Sequence, residues 1–475
     1  MSANRYEMVV GLEVHVHLKT RTKIFCRCST NFGDAPNANT CPVCLALPGA
    51  LPVLNDHAVE LATRAALALE CTVYERSVFA RKNYFYPDLP KGYQISQFDR
   101  PLAERGRVVL PDGRAITITR IHMEEDAGKS VHDRFAGFTA IDLNRSGVPL
   151  VEIVSEPEIR SSAEAGAYLR ALREVLLFAD VSDCSMEEGS LRVDANVSAR
   201  LPGETAFRTR TEIKNLNSFS NVERALEVEF ARHCAVHDAG GVIVQQTMLF
   251  DAGRGTVRPA RSKEESHDYR YFPDPDLPPL VLAPAYIAAH RAALPEFPAA
   301  RRERYRRDFG ITAADAEVLT ASRAVGDYFE HTAAAAGDGK AAANWVTGEV
   351  LAALNETGAT IDSFPVTAAR LGALIALVRD GVLSGTAAKT VLDTMHRDAA
   401  DPRAIAERDG LLQVGDDAQL RAWIDDVWAE HPDEAARFMG GEARLQGVLV
   451  GFVMKKSNRS ADPKKVNQLL AERGK

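Results

Sequence analysis

Residues 121–130 read IHMEEDAGKS, and residues 142–160 read DLNRSGVPLVEIVSEPEIR. The first segment places Glu124, Glu125 and Asp126 in a row, where their mutual repulsion costs free energy unless a cation lies among them. In the second segment Glu152 lies inside an apolar, β-branched run that predicts a largely buried strand. A buried carboxylate requires a metal, a basic partner or a proton. The two segments together therefore favour a cation site.

A simpler alternative is open for each feature. The acidic triplet is also compatible with a solvated turn, because acidic clusters are often surface features. Glu152 is also compatible with an ion pair to a nearby arginine such as Arg145.

Residues 8–18, MVVGLEVHVHL, alternate with the period of two that predicts a β-strand. The aliphatic residues at even positions fall on one face, and the other face carries Glu13, His15 and His17. A carboxylate and imidazoles on one face form a platform for a hard cation or a mixed nitrogen and oxygen metal site. The alternative is the exposed polar face of an edge strand.

Four cysteines form two closely spaced pairs, Cys26 with Cys28 and Cys41 with Cys44, around a loop rich in Asn, Gly and Pro. Two such pairs closing one loop are what a tetrahedral Zn²⁺ site requires. Two adjacent disulfides are the alternative, which a reducing compartment disfavours. Because cysteine fills all four positions, no place remains for a reactive water, and we expect a structural role.

The composition is that of an ordinary soluble globular protein, with 475 residues, 46% hydrophobic and 26% charged. A net charge of −8 argues against a protein that coats nucleic acid along its whole surface. No run approaches the length of a membrane span, and the first residues read as a strand rather than a signal peptide. Together with seven cysteines, an odd number, these features predict a cytoplasmic protein without a membrane partner.

Two segments suit RNA. Residues 80–97, ARKNYFYPDLPKGYQISQ, place cations such as Lys82 beside aromatics such as Tyr84, as in sites for single-stranded ends; an ordinary aromatic core is the alternative. The C-terminal segment is a basic tip on an acidic protein and predicts a phosphate contact, with a frayed, solvated terminus as the alternative. Its basic residues are Lys455, Lys456, Arg459, Lys464 and Lys465.

Local signals predict several elements. Asn55 or Asp56 caps a helix that reaches Glu70, Asp112-Gly113 forms the turn of a hairpin, and SSAE begins a helix from about Ser162 to Phe178. The proline-dense segment near residues 280–295 predicts the first domain boundary, and the chain beyond it reads as helical. AGKS at 127–130 is not a P-loop, because Met123 stands at the required upstream glycine.

Longer motifs resemble the B subunit of the aspartyl/glutamyl-tRNA amidotransferases, the GatB family. They are, in order, VVGLEVHVHL, KNYFYPDLPKGYQISQ, HMEEDAGKS, DLNRSGVPLVEIVSEPEIRS, MEEGSLRVDANVS, EIKNLNSF and DYRYFPDPDLPPL. The resemblance continues through ANWVTGE to the VNQLL end and so covers essentially the whole chain. It implies an α+β fold: a cradle domain on an antiparallel sheet with flanking helices (1–292), an all-α helical domain (293–405) and a small all-α YqeY-like tail domain (406–475).

The resemblance also implies an activity. ATP phosphorylates the side-chain carboxylate of Asp-tRNA(Asn) or Glu-tRNA(Gln), and ammonia from a glutaminase subunit then displaces the phosphate. The catalytic residues implied are Glu13, His15, Glu125 and Glu152; these residues, with Glu124 adjacent, would be the Mg²⁺ ligands. The zinc ligands implied are the four paired cysteines. His17 stands where the family more often has Gln or Glu, which leaves its role open.

The partners implied are the amidase (glutaminase) subunit, the small third subunit of the amidotransferase and the mischarged tRNA. The chain itself carries neither a glycine- and serine-rich amidase signature nor an evident glutaminase cysteine. The residues expected to contact tRNA are Lys82, Tyr84, Lys455, Lys456 and Lys464. Two competing functions are a non-catalytic, zinc-containing tRNA-binding scaffold and a stand-alone metallohydrolase; the first leaves Glu152 idle, and the second leaves the helical C-terminal half unexplained.

Overall fold

The computed structural model describes residues 5–135, 137–260, 268–457 and 460–473. The chain divides into two compact units, one up to Phe297 and one from Pro298. The first unit contains the β-sheet, and the second is helical. The α+β organisation with a helical C-terminal part is therefore confirmed.

The strands of the first unit are, in chain order, β1 (Glu7–His17), β2 (Thr72–Val73), β3 (Arg76–Ser77), β4 (Ala80–Asn83), β5 (Tyr93–Ser96), β6 (Ala103–Val109), β7 (Ala115–Glu125), β8 (Lys129–Phe135), β9 (Phe138–Asp142), β10 (Pro149–Ser155), β11 (Leu191–Arg200), β12 (Thr211–Leu216), β13 (Thr247–Asp251), β14 (Thr256–Pro259), β15 (Phe272–Pro273) and β16 (Leu280–Val281). Nine of them form one sheet in the order β14-β13-β12-β11-β1-β10-β7-β6-β2. Its neighbouring strands are antiparallel except for β12 and β13, which are parallel. Smaller sheets join β15-β4-β5, β16-β3 and β8-β9.

β1 is the central strand of the nine-stranded sheet. Its aliphatic residues at positions 12, 14 and 16 are fully buried, whereas Glu13, His15 and His17 on the other face are half-buried. The predicted alternation is therefore confirmed, and the alternative of an edge strand is wrong.

Four helices belong to the first unit: α1 (Asp56–Ala68), α2 (Ser162–Phe178), α3 (Phe219–Asp238) and α4 (Pro284–Ala292). The apolar sides of α1, α2 and α3 share one hydrophobic core with the aliphatic face of β1. This packing leaves the polar face of the sheet available for chemistry.

The predicted helix starts and the predicted hairpin turn are confirmed, although α1 ends at Ala68 and not at Glu70. The Asn55 side chain accepts hydrogen bonds from the first N–H groups of α1, and β6 and β7 form the hairpin around Gly113. α2 begins after Ser161, whose hydroxyl accepts from the Glu164 N–H at 3.1 Å, while the Glu164 carboxylate accepts from the Arg160 N–H at 2.7 Å. These contacts resemble a capping box in which the carboxylate reaches one residue further back.

The helices of the second unit are α5 (Pro298–Phe309), α6 (Ala313–Leu319), α7 (Arg323–Ala336), α8 (Gly339–Trp345), α9 (Leu351–Thr357), α10 (Ala368–Arg379), α11 (Gly385–Met395), α12 (Pro402–Arg408), α13 (Asp417–Glu430), α14 (Pro432–Met439), α15 (Leu445–Lys456) and α16 (Pro463–Arg473). A π-helical turn, Val346–Val350, joins α8 to α9. Two hydrophobic clusters fill this unit, one between Tyr305 and Ala406 and one between Leu420 and Leu470. Gly337 and Gly358 end α7 and α9 in the left-handed conformation, where glycine is favoured. No helix in the described ranges is long and apolar enough to cross a membrane.

Candidate functional site

The register of the sheet brings polar residues of four strands onto one face. On one side of β1, His15 lies opposite Glu152 of β10, and Glu152 lies opposite His122 of β7. On the other side of β1, Glu13 lies opposite Asp194 of β11. Because directly paired residues project to the same face of a sheet, these side chains form one continuous polar surface.

Two carboxylates and two imidazoles converge at the centre of this surface. Nε2 of His15 lies 3.2 Å from Oε2 of Glu152, and Nε2 of His122 lies 3.2 Å from Oε1 of Glu124 and 3.5 Å from Oε2 of Glu152. One ligand atom each of His15, Glu124 and Glu152 lie within 4.8 Å of one another. Ser96 Oγ donates to Glu124 Oε1 at 2.5 Å, which fixes that carboxylate. The group has the composition and spacing of a divalent-cation site.

The two simpler alternatives for these acids, a solvated turn and an ion pair with Arg145, are both wrong. Glu124, Glu125 and Asp126 are only 2%, 4% and 5% exposed, so they do not form a solvated turn. Arg145 does not pair with Glu152; it donates to the carbonyls of residues 127 and 128 and lies 3.6 Å from Asp126.

The electrostatics keep both carboxylates of the cluster ionised. Burial opposes ionisation of Glu152. Two imidazoles, those of His122 and His15, outweigh burial by their charge and their hydrogen bonds, and they hold the pKa of Glu152 well below its usual range. Burial likewise opposes ionisation of Glu124, yet its hydrogen bond with His122 lowers its pKa. Burial disfavours the charged form of His122. The negative charge of Glu152 outweighs burial and raises the pKa of His122 to about 9. The cluster therefore balances two negative charges with protons on imidazoles, which a bound cation can replace.

Glu13 and Glu125 do not belong to the group of converging ligand atoms. Glu13 lies on the same face, accepts from Asn196 Nδ2 at 3.0 Å, and has a pKa raised by burial and by the nearby Glu152 carboxylate. Nζ of Lys214 forms an ion pair with Oδ2 of the adjacent Asp194 at 2.7 Å. Glu125 follows Glu124 on β7 and bonds to different partners: it accepts from the Ile95 N–H at 2.9 Å and pairs with Lys91.

His17 belongs to a charge network beside the cluster. Its Nε2 lies 2.6 Å from Oδ2 of Asp126, and Nη1 of Arg192 lies 2.8 Å from the same oxygen. Burial opposes ionisation of Asp126, but Arg192 and the hydrogen bond with His17 hold its pKa well below the usual range. The structure therefore separates His17 from the converging ligand atoms of His15, Glu124 and Glu152.

The four paired cysteines also converge. Cys44 Sγ lies 3.4 Å from that of Cys26, 3.7 Å from that of Cys41 and 3.7 Å from that of Cys28. All four cysteines are free, which argues against the disulfide alternative. Zn–S bonds of roughly 2.3 Å place the sulfurs of a tetrahedral site roughly 3.8 Å apart. The observed sulfur spacing fits such a site, and the group can hold a metal ion.

Lys82 lies within the electrostatic reach of the carboxylate cluster. Although burial disfavours its charge, the carboxylates of Glu124 and Glu152 raise its pKa, and its Nζ lies 5.1 Å from the ring centroid of Tyr269. Tyr84 packs edge-on against Tyr269 at 6.0 Å. The neighbouring Phe85 is 87% exposed, so this segment is not an ordinary aromatic core.

The basic residues near the C-terminus differ in their surroundings. Lys455 and Lys464 are exposed, whereas Lys456 pairs with Glu430 at 2.6 Å and with Asp426 at 3.1 Å. Arg459 lies outside the described residues. Because α16 buries the aliphatic residues Val466, Leu469 and Leu470, the alternative of a frayed terminus is wrong.

A cavity of about 150 Å³ lies next to Glu13 on the polar face. Its lining combines apolar side chains with arginines, an amide and hydroxyls: Val9, Gly11, Leu12, Glu13, Val154, Ser155, Pro157, Asn196, Ser198, Phe207, Arg208 and Arg210. Our sequence predictions did not include this cavity or His122. His122 could have been found from period two on β7, which places it on the face of Glu124, but the cavity depends on chain segments far apart in sequence.

Comparisons with known proteins agree across the chain. Residues 8–288 match the family model of the GatB/GatE catalytic domain, and residues 327–473 match that of the GatB domain. The chain is similar to the B subunit of the aspartyl/glutamyl-tRNA(Asn/Gln) amidotransferase of Geobacter sulfurreducens, with 52% identity over 98% of this chain and 99% of that protein. Proteins of the same name from Chlorobium chlorochromatii and Myxococcus xanthus are 53% and 49% identical, over 98% and 100% of this chain and 99% of each relative. The chain therefore belongs to the GatB family, the B subunits of the aspartyl/glutamyl-tRNA(Asn/Gln) amidotransferases.

Proposed function

We propose that this chain is the kinase and transamidase subunit of a cytoplasmic, glutamine-hydrolysing tRNA amidotransferase. It activates the side-chain carboxylate of Asp-tRNA(Asn) or Glu-tRNA(Gln) with ATP. It works with the amidase (glutaminase) subunit, which supplies ammonia, and with the small third subunit. The observation that carries the proposal is the convergence of His15, Glu124 and Glu152 on the polar face of the sheet, which also carries Glu13 at the edge of a cavity.

The reaction has two steps. An oxygen of the substrate carboxylate attacks the γ-phosphorus of ATP, the bond from that phosphorus to the β,γ-bridging oxygen breaks, and ADP and an acyl phosphate form. Ammonia then attacks the acyl carbon, phosphate leaves, and the amide results after loss of a proton. The first step brings two anions together, so positive charge at the reacting groups is required.

The residues of the cluster fit a magnesium site. His15, Glu124 and Glu152 would hold Mg²⁺, which prefers few carboxylate ligands and keeps several waters. When bound, the ion would supply positive charge that offsets the repulsion of the two reacting anions. Glu13 and Glu125 remain predicted members of the catalytic set: Glu13 shares the polar face, and Glu125 fixes the ammonium group of Lys91. The four cysteines fit a structural Zn²⁺, because soft thiolates select that ion.

The cavity beside Glu13 suits the adenine base of ATP. Its mixture of apolar walls with a few polar groups is typical of small-molecule sites. Gly11 lies in the middle of β1, and a Cβ there would meet only ordinary contacts, with Ser155 O at 3.7 Å. Glycine weakens a strand and often marks the close approach of a ligand, so we interpret Gly11 as the residue that keeps the cavity open.

The aromatic and basic residues support tRNA binding at two places. Lys82 and Tyr84, near the carboxylate cluster, would bind the aminoacylated end by charge and stacking. Lys455, Lys456 and Lys464 would contact the phosphate backbone. We retain the division into domains 1–292, 293–405 and 406–475 as part of this proposal.

The test uses the assembled enzyme with Glu152→Gln and the control Glu156→Gln. Glu156, at the end of the same segment, accepts from Thr119 Oγ1 outside the cluster. We expect Glu152→Gln to lower ATP-dependent amidation on the order of 100-fold, even when ammonium chloride replaces glutamine, and the control to stay near wild type. Normal ATP cleavage by Glu152→Gln with mischarged tRNA would instead favour the zinc-containing tRNA-binding scaffold.

A further inference from the structure

Lys23 is a buried lysine between the cysteine cluster and the turn that leads into β10. Its side chain is fully buried. Nζ donates to Asn39 O at 2.8 Å, to Leu143 O at 3.1 Å and to Cys44 Sγ at 3.4 Å. An ammonium group has three N–H donors, so these contacts satisfy all of them, yet none of the three partners is a carboxylate.

A buried ammonium is stable only with a compensating charge. Of its three partners only Cys44 can become an anion, and metal binding keeps it one, because a coordinating thiol is deprotonated. Four thiolates around Zn²⁺ carry a net charge of −2, so the ammonium of Lys23 and the metal-loaded cluster compensate each other.

We propose that Lys23 is a positioning residue for the metal: its N–H···S hydrogen bond to Cys44 sets the metal affinity of the cysteine cluster and links metal loading to the turn before β10. The contact chain supports the link. The Ile24 N–H donates to Gly147 O at 2.9 Å, and the Gly147 N–H donates to Asp126 O at 2.8 Å. The turn continues directly into β10, which carries Glu152.

The test compares Lys23→Met with Lys19→Met in the full chain with its partner subunits. Methionine keeps an unbranched, apolar side chain at position 23 but removes the charge and the donors. Lys19 is a close control, because its side chain is 62% exposed and pairs with Asp180 at 2.9 Å. In competition with a chelator, we expect Lys23→Met to lower zinc affinity 10- to 100-fold, the range for residues that support metal ligands, and Lys19→Met to change it less than twofold.

Cobalt substitution reports on the hydrogen bond itself. Losing a donor to a thiolate raises the energy of the sulfur electrons, so the thiolate-to-cobalt charge-transfer bands of Lys23→Met should move to longer wavelength. Those of Lys19→Met should stay in place. An unchanged spectrum together with unchanged zinc affinity would overturn the proposal.

Thermal unfolding separates a role toward the metal from a merely structural one. If Lys23 acts through the metal, the variant loses more stability in the zinc-loaded form than in the zinc-stripped form. Equal losses in both forms would show a packing role only. Amide hydrogen exchange of residues 143–148 tests the link to the turn. Zinc removal should accelerate exchange there in wild type and change it little in Lys23→Met. An exchange rate that does not depend on zinc in wild type would refute the link.

Discussion

Glu229 and Glu152 are both buried acids, but they are neutralised in different ways. Glu229, on α3, accepts from Arg232 Nη2 at 2.6 Å and from Thr211 Oγ1 at 2.7 Å. Glu152 faces the imidazoles of His15 and His122. A guanidinium keeps its proton at any physiological pH, whereas an imidazole can release its proton when a metal arrives. This difference distinguishes a structural acid from a metal-binding one.

The structural role of Glu229 predicts a pH-dependent loss of stability. Although burial opposes ionisation, Arg232, His233 and Thr211 lower its pKa from 4.5 to about 2. A depressed pKa stabilises the folded state above the unfolded value of 4.5, and this contribution is lost as the pH falls toward about 2. We expect Glu229→Gln to lower the free energy of unfolding by about 3 kcal/mol at pH 7, measured by urea titration.

The same experiment at pH 3 should show less than half of that difference, because the wild-type unfolded state is then protonated. Glu223→Gln is the control on the same helix, since Glu223 forms a partly exposed pair with Arg170 at 3.1 Å. Surface pairs contribute only about 0–1 kcal/mol. A constant difference between pH 7 and pH 3 would contradict the assignment.

At the scale of elements, β1 shows which features a local sequence pattern can predict and which it cannot. Period two predicts its two faces, and the capping residues predict the starts of α1 and α2. The pairing of β1 with β10 and β11 is a long-range property that no local pattern contains. For that reason the acidic triplet could be predicted as a site, while the separate bonding of Glu124 and Glu125 could not. Period two could place His122 on the face of Glu124, but the pairing of His122 with Glu152 on another strand has the same long-range origin.

The central strand also permits a test of the nucleotide cavity. Gly11→Val should occupy part of the cavity and raise the KM for ATP at least about tenfold, which corresponds to about 1.4 kcal/mol of lost binding. Valine suits a strand, so we expect the thermal midpoint to stay within a few degrees. The matched control is Gly11→Ala, whose Cβ meets atoms only at ordinary distances of 3.7 Å and more.

ATP-dependent amidation at several ATP concentrations separates the two variants. The kcat at saturating ATP should change little in either, because Gly11 does not belong to the ligand group. An unchanged KM for ATP in Gly11→Val, with the protein folded, would place the nucleotide elsewhere.

At the scale of the whole molecule, the charge of one surface region is opposite in sign to the net charge. The chain carries −8 overall, yet Lys455 and Lys464 are exposed near the end of the helical unit. Each lysine that neutralises a tRNA phosphate releases counterions and so makes binding dependent on salt. An acidic protein can therefore bind RNA through a local patch, provided that its basic residues are not already paired with carboxylates.

Removal of both exposed lysines tests the role of this patch. The double variant Lys455→Ala, Lys464→Ala should weaken tRNA binding and reduce the slope of log affinity against log salt by roughly 1.4–1.8, at 0.7–0.9 per phosphate contact. Lys389→Ala is the control, because Lys389 already pairs with Glu349 at 2.5 Å in the same unit. Filter binding at several salt concentrations measures the slope, while the KM for ATP should not change. If the double variant kept the wild-type slope, the basic tip would have no part in holding tRNA, and the RNA contact would have to lie on other residues of the chain or on its partners.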